Sequence, residues 1–86
     1  MSWFVYMVRC ADSSFYTGIT KDVEKRIGEH NNHIAGAKYT RGRRPVKLIY
    51  AETSESRSSA SKREHEIKQL SKPEKAALAL RFGSSS

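Results

Sequence analysis

Apolar and polar positions along this chain change their period several times, and each change marks an element. From Trp3 to Arg9 both alternating sides are apolar or aromatic, which predicts a central strand covered on both faces. A second short run, Phe15 to Thr20, follows the turn-forming Ala11-Asp12-Ser13-Ser14 and predicts a hairpin. With a three-residue loop, Asp12 to Ser14, Ala11 faces Phe15 and Cys10 faces Tyr16, so that Tyr6 and Tyr16 share one face; a loop of two or four residues separates them. Such a loop favours glycine where φ is positive, and only serine is present there. Val23, Ile27, His30 and Ile34 then recur at helical spacing behind Thr20 as cap and Asp22 in the first turn, which predicts a helix from Lys21 to His33. Ala35 to Pro45 has glycines, basic residues and no period, and reads as a loop. Val46 to Ala51 is a third strand, and Ser56 to Ser71 a helix whose inward positions are Ala60, Glu64, Ile67 and Leu70. Ser71 and Glu74 form a capping box, with Pro73 in the first turn of a last helix that runs to about Arg81. The expected fold is α+β: a small three-stranded, mainly antiparallel sheet flanked by helices in the order β-β-α-β-α-α. Residues 1–82 make one domain and 83–86 a disordered tail.

Composition narrows what such a domain meets. Eighty-six residues, 37% of them hydrophobic, fill one core and leave no room for a second module. No apolar run approaches the roughly 20 residues that cross a bilayer. The patch Trp3 to Val8 lacks a signal peptide's layout, so the expected location is the cytoplasm. Cys10 is the single cysteine, which rules out an internal disulfide and any cysteine-built zinc site and makes it a packing residue. Sixteen Lys and Arg against nine Asp and Glu give a net charge of +7, which points to a polyanion. Nucleic acid leads, because no helix sets a Trp, Phe and Leu face against a Lys and Arg face as a membrane-surface helix does.

The residues that carry chemistry come from four successive elements: Tyr6, Tyr16, Arg26 with His30 at i and i+4, and Glu64. A carboxylate on or beside a buried stripe needs a cation, either a basic side chain such as Lys68 at i+4 or a metal ion. Phosphodiester hydrolysis needs an activated water and compensation of charge on phosphate. Glu64 suits one Mg²⁺, which keeps most of its waters and takes one or two carboxylates. Arg26 offers a planar fork to phosphate oxygens. A tyrosine of ordinary pKa is a poor base at neutral pH, so a neighbouring cation must assist it, with His30 as relay. Gly18, on the face of Tyr16, leaves bare backbone for a sugar-phosphate chain. Taken singly, the tyrosines are ordinary strand aromatics and Arg26 and His30 a solvated helix face; the set is what points to a nuclease. His33 and His65 have no assigned role.

Read together, Phe4-Val5-Tyr6, Tyr16-Thr17-Gly18-Ile19-Thr20, Arg26 with His30, Lys38-Tyr39-Thr40-Arg41-Gly42-Arg43 and Glu64-His65-Glu66-Ile67-Lys68 resemble the GIY-YIG nuclease superfamily, above all its small stand-alone bacterial members. The resemblance covers nearly the whole chain. It implies a metal-dependent endonuclease, with Mg²⁺ or Mn²⁺, whose two tyrosines are Tyr6 and Tyr16, whose helical arginine is Arg26 and whose metal-binding glutamate is Glu64. Which tyrosine activates water stays open. Phe4 stands in place of the name-giving glycine, Thr17 in place of the central isoleucine, and Ile19 where excision-repair relatives carry lysine. Repair and homing relatives append DNA-binding modules, so this chain's target does not follow from theirs.

The stretch Lys38, Tyr39, Arg41, Arg43, Arg44 and Lys47 is the expected nucleic-acid grip: cations on phosphates and a tyrosine stacking on a splayed base, a mode suited to single-stranded, flapped or branched DNA in repair or nucleic-acid turnover. The alternative is a solvated loop. DNA stands ahead of RNA as partner, and a protein partner could supply specificity. The competing reading is a nucleic-acid-binding module that keeps the fold and cleaves weakly or not at all.

Overall fold

The computed structural model describes residues 2–32 and 38–84. Its strands are β1 (Trp3–Arg9), β2 (Phe15–Thr20) and β3 (Lys47–Ser54), and its helices α1 (Val23–Asn32), α2 (Lys38–Arg41), α3 (Arg57–Lys68) and α4 (Lys72–Ser84). The sheet order is β2-β1-β3, with both pairings antiparallel, so the doubly apolar β1 is central as its composition predicts. One core packs Val5 and Met7 with Ala60 and Ile67 of α3 and with Leu78 and Ala79 of α4. The other face carries Tyr6, Val8, Cys10 and Val46, with Tyr16 and Ile27 against them. Between Met7 and Val8 the register slips: Met7 opposes Tyr50 and Val8 opposes Leu48. Ile49 is the extra residue of this bulge, and it joins Tyr50 on the α3 and α4 side.

The hairpin register differs from expectation by two residues. Phe15 opposes Arg9 and Tyr16 opposes Val8, rather than Ala11 and Cys10. The cause is a five-residue connection, residues 10–14, closed by Cys10 N–H donating to Ser14 O and Ser13 N–H to Cys10 O. Asp12 Oδ1 accepts from both the amide and the hydroxyl of Ser14, and Ser13 takes φ 70°, the left-handed conformation glycine would have supplied. A slip of two preserves side-chain parity, so Tyr6 and Tyr16 still share a face.

Helix boundaries also shift for local reasons. Asp22, not Thr20, caps α1: its Oδ1 accepts the Lys25 N–H at 3.1 Å, while Thr20 Oγ1 accepts the Asp22 N–H at 3.1 Å one turn earlier. Ser56 caps α3 in a capping box with Ser59, and Ser71 with Glu74 forms the expected box at α4. The aperiodic stretch before β3 contains α2, a single turn whose end is tied by Arg43 N–H to Thr40 O and by Arg43 Nη1 to Tyr39 O. β3 extends to Ser54 because ladder bonds to Trp3, Phe4 and Val5 hold it after its apolar alternation stops. Across the α3 side, Arg63 reaches both carboxylate oxygens of Glu52 at 3.1 Å and fastens the helix to β3. α4 includes Gly83 and Ser84. His33 and Ile34 lie outside the described residues.

Candidate active site

The β1–β2 pairing places Tyr6 opposite Gly18 and Val8 opposite Tyr16, so both tyrosines stand on the α1 side of the sheet. One turn of α1 separates Arg26 from His30, and both reach down to Tyr6. The Tyr6 hydroxyl lies 2.7 Å from His30 Nε2, and the Arg26 guanidinium acts on it as a donor and a positive charge that lower its pKa. His30 Nδ1 in turn lies 2.8 Å from Thr40 Oγ1 of α2. Tyr6 is 1% exposed and His30 and Thr40 are fully buried, so this file of polar groups is shielded from bulk water, with Tyr6 its outermost member.

Gly18 serves this arrangement differently from expectation. A Cβ there would stand 2.6 Å from Tyr6 Oη and 2.9 Å from Cζ. The bare backbone accommodates the tyrosine ring, not a substrate chain. Tyr16, partly exposed, packs by its ring: 6.5 Å from Tyr6, 5.3 Å edge-on to His30 and 5.8 Å stacked on Tyr39.

Electrostatics follow from burial. Burial is the main force pushing the Tyr6 hydroxyl up to about 12; the Arg26 hydrogen bond opposes it, and the charges of Tyr16 and Glu64 add to it. Burial first, then the Arg26 charge, hold His30 below the usual imidazole range, against a smaller pull from Glu29. Its ring is neutral at pH 7. For Arg26 burial works against the charge, but Glu29, at 2.9 Å, and Tyr6 together raise it.

Glu64 approaches from the other layer, since α3 packs on β1 and β2 from the Val5 and Met7 side. It stands beside the stripe of Ala60 and Ile67, its side chain 22% exposed, and its Oε2 meets Lys68 Nζ at 3.0 Å. The basic-side-chain partner weighed from the sequence is therefore present. Lys68 is itself half exposed, and among the described residues this i,i+4 pair is the ion pair that holds the carboxylate, a contact of small energy that a hard cation could replace. No group of three or more His, Cys, Asp or Glu side chains that could hold a metal occurs among the described residues, so any ion here would depend on one carboxylate and water. The charge of Glu64 is felt at the Tyr6 hydroxyl, whose pKa it raises after burial and the nearer groups.

The basic stretch divides in three dimensions. Arg43 lies 4.1 Å over the Tyr39 ring, and its Nε donates to Asp12 Oδ2 at 3.0 Å. Tyr39, 40% exposed, presents an aromatic face beside Tyr16. Arg41 is exposed, and Arg44 has two buried donors, Nε and Nη2, without a hydrogen-bond partner among the described residues. Lys38 opens α2, and its side chain lies outside the described part of the structure. Lys47 does not join them: it pairs with Arg9, and the pleat sends both to the face of Met7 and Val5. Ile19 likewise packs into the α3 and α4 core, and His65 meets Gln69. Thr40, Glu29 and Asp12 complete the site and were not singled out from the sequence. Thr40 lay inside the quoted Lys38 to Arg43 phrase, the one signal that could have found it.

An antiparallel sheet whose hairpin tyrosines meet a helical arginine and histidine is the frame of a nuclease domain. The chain belongs to the GIY-YIG family, whose catalytic domain matches residues 2–77. It is similar to the UPF0213 protein of Desulfotalea psychrophila, at 58% identity over 77 residues that cover 90% of this chain and 70% of that protein. A UPF0213 protein of Haloquadratum walsbyi is 54% identical over 88% of this chain and 84% of its own length. Two solution NMR structures share the fold: the UPF0213 protein of Bacillus halodurans at 43% identity and TM-score 0.59, and a protein of E. faecalis at 40% and 0.63. Each alignment covers 96% of this chain and 88% of the other. The GIY-YIG domain is in general a nuclease fold, so membership suggests nuclease activity and implies a nucleic-acid substrate. No helix among the described residues is long and apolar enough to cross a membrane.

Proposed function

We propose that this chain is a single-domain, divalent-metal-dependent endonuclease that hydrolyses phosphodiester bonds in single-stranded, flapped or branched DNA, in repair or nucleic-acid turnover in the cytoplasm. The observation that carries the reading is the Tyr6 hydroxyl held between His30 Nε2, at 2.7 Å, and Arg26. With its pKa near 12, Tyr6 is not a standing tyrosinate. It acts instead by passing its proton to neutral His30 as it takes one from the attacking water, while the water oxygen bonds phosphorus and the bond to the leaving sugar oxygen breaks. Arg26, permanently charged and about a quarter exposed, offsets charge on the phosphate oxygens. Glu64 would hold Mg²⁺ or Mn²⁺, which when bound supplies further charge compensation to the phosphate. Tyr16 orders the site through its ring contacts. Tyr39 stacks with Tyr16 at the edge of the site, and Arg41, Arg43 and Arg44 supply the positive charge that meets phosphates.

The test is cleavage of labelled single-stranded, duplex, flapped and RNA substrates with Mg²⁺, Mn²⁺ or EDTA, beside Glu64→Ala, Tyr6→Phe and Tyr16→Phe. Products that need metal and vanish in Glu64→Ala and Tyr6→Phe support the reading. A Tyr6→Phe protein that cleaves as well as wild type removes the assignment of the proton acceptor. The Glu64–Lys68 pair favours a second reading, a binding module with an ordinary helix contact. Salt-sensitive binding with no product under any metal would select it.

A further inference from the structure

We infer that Thr40 is a positioning residue for the proposed reaction: its hydroxyl accepts the Nδ1–H of His30 and fixes the imidazole in the tautomer whose Nε2 lone pair receives the Tyr6 proton. This rests on reading Tyr6 and His30 as the proton-accepting pair.

The assignment follows from counting donors at one oxygen. Arg26, whose guanidinium lowers the Tyr6 pKa, can only donate, so toward Arg26 the Tyr6 Oη is an acceptor. Tyr6 is 1% exposed, so its own O–H cannot turn to bulk water and must find a protein acceptor. Among the described residues that acceptor is His30 Nε2, at 2.7 Å. The reverse tautomer, with a proton on Nε2, would make Oη accept twice and leave its proton stranded. A neutral ring that accepts at Nε2 carries its proton on Nδ1, and that atom faces Thr40 Oγ1 at 2.8 Å.

Thr40 is itself fixed. It is fully buried, its carbonyl accepts the Arg43 N–H at 3.0 Å, and Arg43 is anchored to Asp12. Tyr39, its neighbour, stacks on Tyr16. One short helix thus carries both the tyrosine that stacks on Tyr16 and the threonine that meets the imidazole.

The test uses the full chain with ¹⁵N-labelled histidine and reads the two ring nitrogens of His30 in long-range ¹H–¹⁵N spectra at mildly alkaline pH. Wild type and Thr40→Ser are expected to show a protonated Nδ1 and a bare Nε2. Thr40→Val, which keeps the shape and loses the acceptor, is expected to populate the Nε2–H form. A wild-type ring protonated at Nε2 overturns the inference, as does a Thr40→Val protein with the wild-type tautomer. In cleavage assays Thr40→Val should lower kcat by about 10- to 100-fold with KM little changed, and Thr40→Ser should restore most of it. Equal kcat in all three proteins also overturns it. Should wild type cut nothing, the nuclease reading fails and the positioning role with it, while the spectra still decide the hydrogen bond to Thr40.

Discussion

Gly18→Ala is expected to damage the site more than the same change at Gly28 or Gly42, where nothing lies within 4 Å of an added Cβ. The new Cβ would stand 2.6 Å from Tyr6 Oη, 2.9 Å from Cζ and 3.0 Å from Cε1, whereas ordinary contact begins at 3.4 Å. Relief requires 3.4 − 2.6 = 0.8 Å of movement at the oxygen. Tyr6 has little freedom to move, since it is 1% exposed and tied to both His30 and Arg26. Overpacking of this kind costs about 1–3 kcal/mol. The reduced freedom of the unfolded chain returns about 0.4–1 kcal/mol, because φ at Gly18 is not positive and alanine can adopt it. A net loss of about 1–2 kcal/mol lowers Tm by about 4–16 °C in a domain of this size. Displacement of the hydroxyl by nearly 1 Å should cost about 100-fold in cleavage. Gly28→Ala in α1 is the control of opposite sign: nothing lies within 4 Å of its Cβ, and alanine stabilises a helix interior by about 1 kcal/mol. In a Tyr6→Phe background the 2.6 Å contact is gone, so the cost of Gly18→Ala should shrink. Calorimetry on wild type, the three single variants and the double variant, with cleavage assays on those that keep Tyr6, decides it. Gly18→Ala as stable and as active as wild type refutes the reasoning.

Glu64→Ala should abolish cleavage yet leave nucleic-acid affinity equal or higher by fluorescence anisotropy, because a negative charge near phosphate is removed. Its Tm should barely move, since the pair with half-exposed Lys68 is worth about 0.3–0.5 kcal/mol; strong residual cleavage would sink the metal assignment. Replacing Arg41, Arg43 and Arg44 by alanine should weaken binding across sequences and flatten its dependence on salt, and unchanged binding would return this stretch to a solvated loop. His30 predicts a pH dependence of stability. Its folded pKa lies below 6.5, so between the two values the unfolded chain binds more protons, and stability falls as pH drops through 6.5 towards the folded pKa. Melting scans from about pH 8 to about pH 5 should show a larger loss for wild type than for His30→Asn; equal losses would remove His30 as the cause.

Strand faces were legible because they depend on parity alone. The hairpin loop is longer than expected, yet a slip of two residues returned Tyr6 and Tyr16 to the same side. The loop itself was not legible, since Asp12 holds Ser14 and Ser13 accepts a positive φ, a local bargain that composition does not reveal. Glu64 stood out because a carboxylate beside Ala60 and Ile67 breaks a 3.6-residue pattern. Thr40 broke no pattern. Its place depends on a contact with His30, ten residues away, and on Arg43, whose own anchor Asp12 is 31 residues distant. Nearness in sequence also grouped Lys47 with the arginines, although one step of pleat turns it to the opposite layer beside Arg9. A net charge of +7 therefore says that a polyanion is welcome but not where it lies. That depends on which cations the fold has already engaged: Arg63 is committed to Glu52 and Glu66 on the α3 side and Arg43 to Asp12, whereas Arg41 of α2 is exposed. The same accounting bears on Glu64: among the described residues its ion pair is with half-exposed Lys68, a contact that the proposed metal ion would replace.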